Sequence, residues 1–91
     1  MKFFTLECYA DPGHSWIKVH KDFINGLIGE QWRKEFTCFS HEKGEFIYIE
    51  EDDDASTLRR LLLEKGYVYS LVYHHSNEHS QIRNYPPLQP I

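Results

Sequence analysis

The stretch from Asp52 to Tyr73 limits the possible folds more than any other part of the chain. Asp52, Asp53 and Asp54 stand ahead of Ala55 and an apolar stripe of Leu58, Leu61 and Leu62, with Lys65-Gly66 behind it. Carboxylates favour the positive end of a helix dipole, cations the negative end, and glycine the residue just past the last turn. The pattern therefore predicts a helix that begins within Asp52 to Asp54 and stops before Gly66. Tyr67 to Tyr73 then alternate, with Val68 and Val72 on one side and Tyr67, Tyr69, Leu71 and Tyr73 on the other. That period of two predicts a strand whose two faces both need cover.

Upstream, Phe4, Leu6 and Cys8 alternate with Phe3, Thr5, Glu7 and Tyr9, a strand pattern ended by the turn tripeptide Asp11-Pro12-Gly13. Trp16 to Val19 continues extended, and Phe23, Ile24, Leu27 and Ile28 recur at helical spacing before Gly29. Phe36 to Ser40 and Glu45 to Glu50 are rich in β-forming residues around His41-Glu42-Lys43-Gly44, which predicts a hairpin. The order β-β-α-β-β-α-β makes an α+β domain: an antiparallel or mixed sheet of about five strands with two α-helices on one face. At 91 residues the chain supports one core, not two. The expected domain is 1–85, followed by an extended proline-rich tail, 86–91, that contains a Pro87-x-x-Pro90 match to polyproline ligands.

No apolar run approaches the about 20 residues of a membrane helix. Met1 to Phe4 start like a signal peptide, but Glu7 interrupts it, so an intracellular protein with reduced thiols is expected. Cys8 and Cys38 do not form a Cys-x-x-Cys pair. A net charge of -4 argues against nucleic acid as a partner, because phosphate contacts need a basic surface.

Histidines 75 and 79 stand four apart and would share a helical face with Cys8, Cys38 or Glu78 within reach for zinc. Ser76-Asn77 between them marks a turn instead, so no metal and no cofactor is assigned. His14 lies near Asp11 and Ser15, yet no nucleophile elbow, phosphate loop or dinucleotide glycine pattern accompanies it, and no catalytic residue is assigned. The acidic run Glu50 to Asp54 either starts a helix or docks on a basic protein surface. Tyr48, Tyr67, Tyr69 and Tyr73 are candidates for an aromatic binding face opposite the helices, with core packing or a homodimer interface as the plainer account.

Three groups of residues resemble a family of small proteins encoded by phages, prophages and conjugative elements. They are Gly13-His14 with Trp16-Ile17; Glu50-Glu51-Asp52 with Asp54-Ala55; and His75-Ser76-Asn77 with Ser80, Ile82-Arg83 and Tyr85. Ser15, Asp53 and His20 depart from the pattern, where glycine, cysteine and proline are frequent. The resemblance implies an origin on a mobile element and a place in the cytoplasm of a bacterial host, and brings no activity with it.

A candidate polar site follows: His14, Trp16, Glu50, Glu51, Asp52, Asp54, His75, Asn77, Arg83 and Tyr85. If the strands ending at Glu50 and His74 run in one direction, their ends share an edge, where Arg83 would pair with Glu50 or Glu51. The expected function is stoichiometric binding to a host protein, as in host takeover or counter-defence inhibition. The alternative is a small enzyme or metal-dependent module built on His14, Glu50, Glu51, His75 and Arg83.

Overall fold

Cys8, Ile17 and Ile49 stand side by side in neighbouring strands, and this row fixes which face of the sheet is buried. In the computed structural model, which describes residues 1–89, β1 (Lys2–Ala10) turns into β2 (Ser15–His20), and α1 (Lys21–Ile28) follows. A single 3-10 turn, Trp32–Glu35, leads to β3 (His41–Lys43) and β4 (Phe46–Glu50). Next come α2 (Asp53–Glu64), β5 (Tyr67–His75) and a second 3-10 turn, Gln81–Asn84. The sheet order is β3-β4-β2-β1-β5, with β1 and β5 parallel and every other neighbour antiparallel. This is a mixed sheet in an α+β domain. Among the described residues no helix is long and apolar enough to cross a membrane.

Both helices cover the face of Cys8, Ile17, Val19, Ile47 and Ile49. From α1 comes Ile24, fully buried, and from α2 come Leu58, Leu61 and Leu62, the stripe legible in the sequence. Burying such side chains contributes about 1.5–3 kcal/mol each, which is what holds a short helix that would be marginal alone. Gly29, at φ 96, ends α1 with its N–H on the Asn25 carbonyl, a backbone angle that a Cβ would disfavour. Trp16, Tyr48 and Ile82 form a second, smaller cluster on the opposite face.

The start of α2 is capped from outside. Asp52 makes no side-chain cap; the carboxylate of Glu50 accepts from the amides of Asp52 and Asp54 at 2.9 Å each. Asp54, expected as a helix-start acid and a member of the polar site, is 1% exposed and takes the hydroxyls of Thr37 and Ser40 and the Thr37 amide.

That carboxylate explains one correction. Phe36–Ser40 is not a strand, because Thr37 and Ser40 give their donors to Asp54 and the segment folds back on itself with Ser40 N on the Thr37 carbonyl. Such side-chain bonds compete with a strand ladder. The first strand of the hairpin is therefore displaced into the expected loop, while the second lies within the expected Glu45–Glu50. Its strands are His41–Lys43 and Phe46–Glu50, and Gly44, at φ 60, occupies the first position of a two-residue turn. Trp32 and Phe36, from the segment before it, plug the core at 6% and 8% exposure.

The expected domain end is a second correction. Residues 86–88 are extended but belong to the fold: Pro87 bridges His41, Leu88 N donates to the Ser40 carbonyl, and Leu88 is 2% exposed in the main core. Pro90 and Ile91, and with them the Pro-x-x-Pro match, lie outside the described residues. Glu42 secures this corner, accepting both Arg33 guanidinium nitrogens at 2.8 and 2.9 Å, Lys21 at 2.8 Å and the Gln89 amide at 3.1 Å. Arg33, and after it Lys21, draw its carboxyl down to about 2.

Leu61→Ala is expected to lower the unfolding free energy by about 2–4 kcal/mol in denaturant titration, since Leu61 is 8% exposed against the sheet. Asp54→Ala removes the acceptor of three donors, of which the Ser40 hydroxyl is buried and those of Thr37 are within reach of water, and is expected to cost about 1–3 kcal/mol in the same measurement.

Candidate functional site

Strand direction decides which loops meet. β4, β1 and β5 run the same way, so Ala10, Glu50 and His75 end at one edge of the sheet, where β2 begins at Ser15. The turn between β1 and β2 is built by Asp11. Its Oδ1 accepts the amides of Gly13 and His14, and its own N–H donates to the His14 carbonyl. Aspartate suits this position because its short carboxylate reaches amides two and three residues on.

The same carboxylate then takes Arg83 in a two-pronged ion pair, Nε to Oδ2 at 2.6 Å and Nη2 to Oδ1 at 2.8 Å, and the Ser80 amide at 2.9 Å. Arg83 therefore does not pair with Glu50 or Glu51. Those two are engaged locally, Glu50 as the cap of α2 and Glu51 with the Ser15 hydroxyl at 3.2 Å and His14 Nδ1 at 3.4 Å. The Asp11 side chain is fully buried, and the guanidinium holds its carboxyl well below the usual carboxylate range. The pair also places the Arg83 cation 5.6 Å from the Trp16 ring.

A cleft of about 520 Å³ opens above this anchor. Trp16 forms its floor, with His14 and His41 beside the indole at 6.0 and 6.3 Å between ring centres. Cys38 and Phe39, the acids Glu50, Asp52 and Asp53, and Arg83 complete its lining. Of the expected site residues, His14, Trp16, Glu50, Asp52 and Arg83 converge here, and Glu51 touches His14 at the rim. Asp54 lies buried, and Tyr85 packs on Tyr48 at 5.2 Å while its carbonyl accepts from His41 Nδ1.

His75 and Asn77 do not join the cluster. β4 and β5 are separated by β2 and β1, which is about 14 Å at ordinary strand spacing. The alternation also turns His75 toward the opposite face from Trp16. His75 lines a separate depression with His74, Glu78 and His79, where His74 stacks on Tyr9 and binds Glu7 at 3.0 Å. Residues 76–80 are not helical, so His75 and His79 do not share a helical face. Among the described residues no group of three or more metal-binding side chains is arranged to hold an ion.

The four tyrosines do not form one face either. Tyr67 and Tyr69 pack into the core under the helices, and Tyr73, in register with Cys8, points to that same side. Tyr48, opposite Lys18 and His41, faces the other way. Asp11, Cys38, Phe39, His41 and Asp53 complete the site beyond the ten residues of the expected polar cluster. Asp53 carried a signal as part of the acidic run, and Asp11 as an aspartate in a turn, which uses one oxygen locally and leaves the other free. No family model, curated protein or solved structure matches the chain.

Arg83→Ala is expected to lower the thermal unfolding midpoint, by leaving the buried Asp11 carboxylate without its cation. Gly13→Ala is expected to do so more mildly, since the added Cβ would sit 2.8 Å from Arg83 Nη2. Asp11 and Glu42 both have lowered pKa values, so the stability they contribute is complete above the ordinary carboxylate range and is lost as pH falls below it toward the lowered folded-state values. For Glu42 that loss runs from pH 4.5 down to about 2, and Glu42→Gln is expected to flatten this limb in acid titration followed by circular dichroism.

Proposed function

We propose that this chain acts stoichiometrically, seating a basic segment of another protein in the cleft of Trp16, Phe39, Asp52 and Asp53. The proposed setting is a mobile element's accessory protein that occupies and thereby inhibits a protein of its bacterial host. The observation that carries the reading is the state of the charges in the cleft. Its one guanidinium, Arg83, is already neutralised by Asp11. Among the described residues, neither the Asp52 nor the Asp53 side chain has a hydrogen bond or an ion pair, and both residues are exposed.

Phe39, 72% exposed, lines the same cleft as these carboxylates. A planar cationic side chain fits such a site, stacking on an aromatic face while it pairs with a carboxylate. Phenyl and carboxylate together select arginine or lysine in a way that neither does alone. The enzymatic alternative joined His14, Glu50, Glu51, His75 and Arg83, and supports itself less well here, because His75 faces away and Arg83 and Glu50 are committed to structural bonds.

Capture from bacterial lysate with the wild-type chain and with Asp52→Asn/Asp53→Asn tests the reading. A saturable protein partner is expected on the wild type, with affinity that falls as salt rises and drops roughly tenfold or more in the double variant. Both positions are exposed at the start of α2, so the loss of unfolding stability should stay within about 1–2 kcal/mol, the helix-dipole contribution of two carboxylates. Equal capture by the two proteins would remove the cleft as the binding surface.

A further inference from the structure

We propose that β5 is the contact strand of a homodimer, pairing antiparallel with β5 of a second copy about a twofold axis at Leu71, so that two five-stranded sheets become one. β5 is the outermost strand on its side of the sheet and runs for nine residues. Its backbone directions follow from two hydrogen bonds: the Gly66 carbonyl accepts from Lys2, and the Ser76 amide donates to Ala10. The N–H and C=O of one strand residue point to the same side and alternate along the chain. The register from Lys2–Tyr67 to Ala10–His75 is unbroken. The even-numbered residues therefore face β1, and Tyr67, Tyr69, Leu71, Tyr73 and His75 turn their donors and acceptors outward.

The opposite edge of the sheet is closed from within. β3 is three residues long, carries Glu42 and Lys43, and is covered by the backbone of Pro86 to Leu88. Natural sheets blunt an open edge with charges, proline or a bulge, because unpaired backbone recruits another strand. Tyr67–His75 has none of these: it contains no lysine, arginine, aspartate, glutamate or proline. At about 3.4 Å per residue it offers an edge about 30 Å long.

The occupant is named by the symmetry of the strand. Pairing about Leu71 sets Tyr69 opposite Tyr73 of the second copy, Tyr67 opposite His75 and Ser70 opposite Val72, and repeats each pair on the other side of the axis. The outward-facing residues then fall at the positions that exchange both backbone hydrogen bonds. Aromatic side chains directly across antiparallel strands attract, and no like charges meet. Tyr73 and Val72, 65% and 45% exposed in the single chain, gain cover. An unrelated strand would find the same backbone bonds but not this matched sequence.

Sedimentation equilibrium of the full chain over a concentration series is expected to give a monomer–dimer equilibrium. Ser70→Lys/Val72→Lys sets lysine against lysine on both sides of the axis and is expected to yield monomer, with the circular dichroism spectrum retained. Ser70→Glu/Val72→Lys sets opposite charges at the same places and is expected to restore the dimer. Amide exchange on the wild type reads the contact without any substitution: the Leu71 and Tyr73 amides should slow as concentration rises. The proposal is overturned by a wild type that stays monomeric with concentration-independent exchange at those amides. A dimer indifferent to the double lysine variant, or one that the Glu/Lys variant fails to restore, overturns it equally.

Discussion

Five donors converge on the two carboxylate oxygens of Asp11: the amides of Gly13, His14 and Ser80 and two nitrogens of Arg83. One side chain thus shapes the turn between β1 and β2 and ties down the segment after β5, although the two are some 70 residues apart in sequence. Taking a carboxylate out of water costs free energy that only a full set of partners offsets, and here each oxygen has them. The position of Arg83 over Trp16, the packing of Ile82 on Trp16 and Tyr48, and the place of Arg83 in the cleft lining all follow from that anchor.

Asp54 does the equivalent work for another part of the cleft. Its buried carboxylate gathers Thr37 and Ser40, which holds Cys38 and Phe39 over the cleft, while Glu50 caps the helix that begins beside it. The acidic run is therefore divided by role. Glu50 and Asp54 are structural, Glu51 braces His14 and Ser15, and Asp52 and Asp53 remain exposed. A surface whose acids were all free would attract cations diffusely; this one presents two beside an exposed phenyl ring.

How much of this could be read beforehand depended on how local the cause was. α2 was legible, because the Leu58, Leu61 and Leu62 stripe and the flanking charges act within one element. The turn at Asp11 was legible for the same reason. The β-forming residues of Phe36–Ser40 do not make a strand, because the shape of that segment is set by a carboxylate 17 residues away in sequence from Thr37. The burial of Leu88 has no sign in the sequence, since prolines signal extension but say nothing of what an extended segment packs against.

The sequence by itself determined the two helices, the order of the elements and most of the helix-side core, Trp32, Phe36 and Leu88 excepted, since periodicity and turn chemistry act over a few residues. It also placed His14, Trp16, Glu50, Asp52 and Arg83 at loop-proximal positions, which the parallel course of β4 and β5 then brings to one edge. Only the tertiary structure decided that Arg83 belongs to Asp11, that His75 stands apart and that the tyrosines divide between two faces. Each of these depends on strand order and on the direction a side chain takes from its strand. Those are set when distant segments pair, and a single run of residues carries no record of its neighbour across the sheet.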